Sequence, residues 1–147
     1  MANMQSHTIK SQEQFIAEMI PHHQEAVDSA RIILNSTQNA ELRLLALSIV
    51  DTQSSEIEQL KEWMILYHPD STYVAAYKPM MPNLNALSGI ERDRAFLSGM
   101  IMHHKMAIMM ANQLHSLPGV RADVDTFARN VEDVQSAEIK QMERMLR

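Results

Sequence analysis

The same helical segment occurs twice in this chain, and that repeat constrains the fold more than any other feature. Phe15-Ile-Ala-Glu-Met-Ile-Pro-His-His-Gln-Glu-Ala26 aligns with Phe96-Leu-Ser-Gly-Met-Ile-Met-His-His-Lys-Met-Ala107 at an offset of 81 residues. Ala30 and Ala111 extend the match. Downstream, Gln53-Ser-Ser-Glu56-Ile57 aligns with Gln135-Ser-Ala-Glu138-Ile139 at an offset of 82, a one-residue difference that a loop absorbs. Each copy pairs a His-His segment with a Gln-x-x-Glu segment, and one copy alone cannot bury its apolar face.

Apolar residues recur at helical spacing through both copies. Phe15, Met19, Ala26, Ala30 and Ile33 predict a helix over about 11–34, and Leu42, Ala46, Ile49, Ile57, Leu60 and Met64 predict a second over about 40–67. Ser11, with Gln14 three residues on, reads as the first N-cap. Tyr67-His68-Pro69-Asp70-Ser71 stops the second helix. A third helix is expected over about 90–116, ended by Pro118-Gly119, and a fourth from about 121 to the end. No alternating pattern predicts a strand. Residues 1–10 read as a flexible tail, in which Met4 and His7 are expected to be bystanders. The remainder reads as one domain of two hairpins, 11–67 and 90–147, joined by a crossover over 68–89. Two hairpins with one long crossover predict an all-α, ferritin-like four-helix bundle.

The repeated motifs fall near the middle of each helix, so all four meet at the bundle midplane, where such bundles place metals. Neighbouring helical residues point about 100° apart. His23 and His104 therefore lie near the centre of the apolar faces, and His22 and His103 at the edges, where they are expected to be the more accessible. His103 has Met100 and Met106 three residues away on either side and Met110 further along the same edge. A thioether and an imidazole at that spacing can share one ion. A metal-free network, with the histidines hydrogen-bonded to Glu56 and Glu138, accounts for the same pattern. Pro21 lies inside the first predicted helix, where the second copy has Met102, and predicts a kink at the site. Met102, Met106 and Met109 form a stripe where the first copy carries Pro21, Glu25 and Asp28. Such a stripe serves a soft metal, a subunit contact in a homodimer, or both. Met80-Met81 in the crossover adds two more thioethers.

Composition removes several functions. The formal net charge of −5 and the few aromatics (three Phe, three Tyr, one Trp) argue against a nucleic-acid partner. Without cysteine there is no disulfide, thiolate zinc site or Cys-ligated cluster, and three glycines leave no phosphate loop. The 13 methionines and 7 histidines are the soft and borderline metal ligands that remain. No apolar run is long enough to span a membrane. The polar start does not read as a secretory signal, which fits a cytosolic protein or one whose export signal has been removed.

The paired Met-Ile-x-His-His segments, each followed by a Gln-x-x-Glu-Ile helix, resemble a bacterial family of ferritin-like bundles long catalogued without a known function. Its better-described kin are methionine-rich, exported copper-binding proteins of the CopM type. The resemblance covers about residues 11–147. It implies copper(I) binding, mimicked by silver(I), outside the cytoplasm in the periplasm or an equivalent exported space, for copper sequestration or resistance. By position it implies His22, His23, His103 and His104 as the paired histidines, with Met19 and Met100 in the same motif.

The full candidate ligand set is thus His22, His23, His103, His104, Met19, Met100, Met106, Met110, Glu56 and Glu138. The leading expectation is a non-enzymatic copper(I) binder, because thioether and imidazole without thiolate select soft monovalent ions. A di-iron or di-manganese oxidase is the enzymatic rival. Such sites need Glu-x-x-His, whereas here Gln59 and Gln141 follow Glu56 and Glu138 three residues on. A metal-free helical interaction module, its methionines acting as oxidant sinks, is the third reading.

Overall fold

Ser11 opens the first helix by accepting a hydrogen bond from the Gln14 backbone N–H at 3.1 Å, which satisfies one of the amides a helix start leaves free. In the computed structural model, which describes residues 8–147, this helix is α1, Gln12–Leu34. It runs through Pro21 without interruption. Asn39 caps α2, Ala40–Tyr67, in the same way by accepting from the Leu42 N–H. The second hairpin consists of α3, Gly89–His115, and α4, Ala122–Leu146. Gly119 takes φ +73° in the turn between them, a conformation that favours glycine. There is no strand among the described residues, and the fold is an all-α four-helix bundle. Among the described residues no helix is long and apolar enough to cross a membrane. Met4 and His7 lie outside the described residues. Ile9, which the sequence assigned to the tail, is buried in the core, and its N–H reaches Gln113 Oε1 at 2.7 Å.

Helix α1 packs along α2, α3 along α4, and α1 meets α3 across the bundle. The core divides into two apolar clusters. One joins Phe15 and Met19 to Leu60, Trp63, Met106, Met110 and Val124. The other joins Ala30 and Ile33 to Leu42, Ile49, Phe96, Met100 and Met142. The N-terminal half of α1 thus packs on the C-terminal halves of α2 and α3, so α1 runs antiparallel to both. Phe15 and Phe96, equivalent in the repeat, are fully buried in opposite clusters, each contributing about 1.5–3 kcal/mol by leaving water. Between the clusters lies a polar layer of His22, His23, His103, His104, Gln53 and Gln135, all buried.

The crossover runs along α1 as a strap. Ser71, Tyr73 and Tyr77 donate hydroxyl hydrogen bonds to Glu13, Glu18 and Glu25 in turn. A short 3-10 turn at Leu84–Ala86, which the sequence pattern does not announce, then inserts Leu84 into the second cluster. Gly99 permits the close passage of the strap over α3. A Cβ there would lie 2.9 Å from Pro82 Cδ and 3.2 Å from Met81 Sδ.

Candidate metal centre

The four histidines divide into two pairs by what they face. His22 on α1 and His103 on α3 stack under the strap, with ring centroids 3.7 Å apart and planes 25° apart. Tyr77 stands edge-on to His22 at 5.9 Å. His23 and His104 point away from the strap, towards α2 and α4. Each brings Nε2 to 2.6 Å from a glutamate Oε1, His23 to Glu56 and His104 to Glu138.

Glu25 anchors the strap at the level of the stacked pair. Its carboxylate accepts from the Tyr77 hydroxyl and from the backbone N–H groups of Met80 and Met81 at 2.9–3.0 Å, and lies 3.4 Å from His103 Nε2. Burial opposes its ionisation, but the hydrogen bonds with His103, Tyr77, Met81 and Met80 outweigh burial and lower its pKa to about 2. Burial, reinforced by the Glu25 contact, pushes the Tyr77 phenol up. Burial dominates at His103 and pushes its pKa down despite Glu25, so the ring is neutral near pH 7.

Three imidazoles share one arrangement. In His23, His103 and His104, Nε2 faces a carboxylate, while Nδ1 is buried with no hydrogen-bond partner. With the proton on Nε2, each Nδ1 keeps a free lone pair. Metal-binding histidines are typically held this way, one nitrogen donating to a carboxylate and the other left to the ion. Among the described residues no three His, Asp or Glu side chains converge to hold a metal ion.

The thioethers flank the histidine layer on both sides. Met19, Met106 and Met110 lie in the first cluster, with Met80 of the strap packed against it. Met100 lies in the second, with Met81 against it. The ten candidate ligands therefore do not form one site. They form a histidine layer with two glutamates behind it and methionines above and below. His22 and His103 are as buried as their partners, 2% and 1% exposed, contrary to the expectation of accessible edges, because the strap covers them. The methionine stripe is likewise not an open face. Met106 is in the core and Met109 half-buried, leaving Met102 as the exposed member of the three.

Glu25, Tyr77 and Gly99 were missed as parts of the site. Glu25 occupies the position of Met106 in the other copy and Gly99 that of Glu18, so a mismatch between copies was the available signal. Tyr77 belongs to the crossover, which has no second copy to compare.

The chain matches the model of the family described as "Domain of unknown function (DUF305)" over residues 12–75 and 68–146. Among solved structures, it is similar to CopM in the Cu(I)-bound form, with 34% identity, 92% of this chain and 96% of that chain covered, and a TM-score of 0.82. CopM in the Cu(II)-bound form gives 34% identity, coverage of 94% and 97%, and a TM-score of 0.82. A DUF305 fragment from Deinococcus radiodurans gives 26% identity, coverage of 93% and 97%, and a TM-score of 0.77. No curated protein matches the chain.

Proposed function

The chain belongs to the DUF305 family, and on that premise we propose that it binds copper(I) for sequestration or resistance and catalyses no reaction. The observation that carries this reading is the buried histidine layer, in which three imidazoles have Nε2 turned to a carboxylate and Nδ1 without a partner, with methionines on both sides. Imidazole with thioether is a soft donor set that favours Cu(I), and silver(I) serves as its mimic. His103 is the first ligand in this account, with Met106 and Met110 as its thioether partners. Its burial keeps the ring neutral and ready to ligate. Glu25 holds the proton on Nε2, and the strap excludes water. His23 and His104, backed by Glu56 and Glu138, complete the layer. The solved CopM structures with Cu(I) and Ag support the choice of ion. We further propose an exported location, where a thiol would be oxidised and a thioether site keeps its ligands.

Competition between Ag(I) and Zn(II) at pH 7 and pH 5 tests this reading. Silver should win at both values. Binding should weaken towards pH 5, because protons compete for imidazole near its reference pKa of about 6.5, yet less steeply than at an all-histidine site. Zinc that displaces silver and releases two or more protons per ion would overturn the reading in favour of nitrogen and oxygen ligation.

A further inference from the structure

The Gln-x-x-Glu motifs meet on the side of the bundle away from the strap. Gln53 and Glu56 on α2 and Gln135 and Glu138 on α4 line one partly enclosed cavity of about 10 Å³, with Thr52, Ile49, Val131 and Val134 completing its wall. The four polar residues are equivalent in pairs across the repeat, so the cavity lies between matching groups of the two hairpins.

Two observations give this cavity a ligand chemistry. Both glutamines are 3% exposed, and both Oε1 atoms are buried without a hydrogen-bond partner. An unpaired buried carbonyl oxygen is destabilising, and here it occurs twice at equivalent positions. Beside them stand two carboxylates whose side chains are 14% and 12% exposed. Each receives a hydrogen bond on Oε1 from His23 or His104, leaving Oε2 as a further acceptor. Nothing positively charged lines the cavity.

We propose that this cavity is a second metal site, specific for a hard divalent cation of the Ca²⁺ type. Its ligands are the amide oxygens of Gln53 and Gln135 and the carboxylates of Glu56 and Glu138. An all-oxygen donor set with two negative charges suits a hard divalent ion and offers a soft ion neither sulfur nor a free nitrogen. With both carboxylates bidentate the four side chains supply up to six oxygens in the flexible geometry that Ca²⁺ accepts, whereas Mg²⁺ demands a near-ideal octahedron at shorter distances. A bound cation would bridge α2 and α4 and lock the two hairpins together. The site is chemically separate from the His/Met centre, although Glu56 and Glu138 back histidines of that centre.

Calorimetric titration of the purified full chain with Ca²⁺, alongside thermal melts with and without the ion, tests the proposal. Ca²⁺ should bind and raise the Tm, with Mg²⁺ at least tenfold weaker. In the Gln53→Leu/Gln135→Leu variant Ca²⁺ affinity should fall at least tenfold, while the Tm without metal stays equal or rises, since two unpaired oxygens are gone, and Ag(I) binding is unchanged. Glu56→Gln/Glu138→Gln keeps acceptors for both histidines, so it should fold and should also lose Ca²⁺. The proposal is overturned if Ca²⁺ does not bind, which would assign the cavity to water. It is equally overturned if binding survives the double glutamine substitution, which would mark adventitious surface carboxylates. Failure of the unsubstituted protein to bind Ag(I) while it binds Ca²⁺ would count against the copper reading alone.

Discussion

His22 and His103, equivalent residues in the two copies of the repeat, stack face to face with their ring centroids 3.7 Å apart. The fold's internal symmetry therefore passes between two imidazoles. On the side they face, the symmetry is broken, because the crossover covers them and has no counterpart. On the other side it is kept, by His23–Glu56 and His104–Glu138 at the same 2.6 Å.

That asymmetry separates the roles of neighbouring histidines. When His103 is replaced by alanine, Glu25 keeps the Tyr77 hydroxyl and the Met80 and Met81 amides. When His104 is replaced, Glu138 loses the imidazole donor behind it. His103→Ala should weaken Cu(I) binding at least tenfold, about 1.4 kcal/mol, while lowering the metal-free Tm less than His104→Ala does. His104→Ala should cost about 2–3 kcal/mol of stability, near 6–9 °C in Tm at about 3 °C per kcal/mol. Metal titration and thermal melts of both variants check this. Equal behaviour in both assays contradicts it.

Gly99→Ala sets two effects against each other. Alanine in a helix interior is favoured over glycine by about 1 kcal/mol. The added methyl would lie 2.9 Å from Pro82 Cδ and 3.2 Å from Met81 Sδ, so the strap must lift. The helix should gain while the site loses. The Tm should hold or rise, Ag(I) affinity should fall, and proteolytic cleavage within 70–83 should quicken. Unchanged affinity and cleavage would mean that the strap does not close the site.

The helices and the level of the histidine layer were legible because both rest on periodicity and repetition. Pro21 was read inside α1 from its counterpart Met102, and α1 does run through it. Hydrogen bonding of the histidines to Glu56 and Glu138 was legible only as the metal-free alternative, and the structure forms it at His23 and His104. The accessibility of His22, His103 and Met106 was not legible. It depends on where 68–88 runs, and that path is set by single hydrogen bonds to Glu13, Glu18 and Glu25 rather than by any periodic pattern. Side-chain direction at Gln53 and Gln135 was hidden for a related reason. Helical spacing gives the face, not the partner an oxygen lacks.

The far end of the second hairpin has its own pH dependence. His115 sits between two carboxylates, Nδ1 towards Asp125 and Nε2 at 2.6 Å from Glu132. Burial opposes the charged ring, but hydrogen bonds to Glu132 and Asp125 prevail and raise its pKa above 6.5. A raised pKa gives stability that is fully present below the unfolded value and is lost as pH rises through the folded one. The wild type should therefore lose stability relative to His115→Gln as pH rises above about 6.5, and the difference should level off below that value. Urea melts of both proteins across this range measure it. A difference that grows with pH would refute the assignment.

In the proposed centre, imidazole and thioether together take copper(I) in the histidine layer. Anaerobic Cu(I) titration of the purified protein, followed by copper K-edge X-ray absorption, tests it most directly by counting sulfur and nitrogen ligands. A low-coordinate Cu(I) site with both nitrogen and sulfur neighbours is expected, its nitrogen contribution dropping in His103→Ala. A first shell of nitrogen and oxygen alone, or a spectrum unaffected by that substitution, would contradict it.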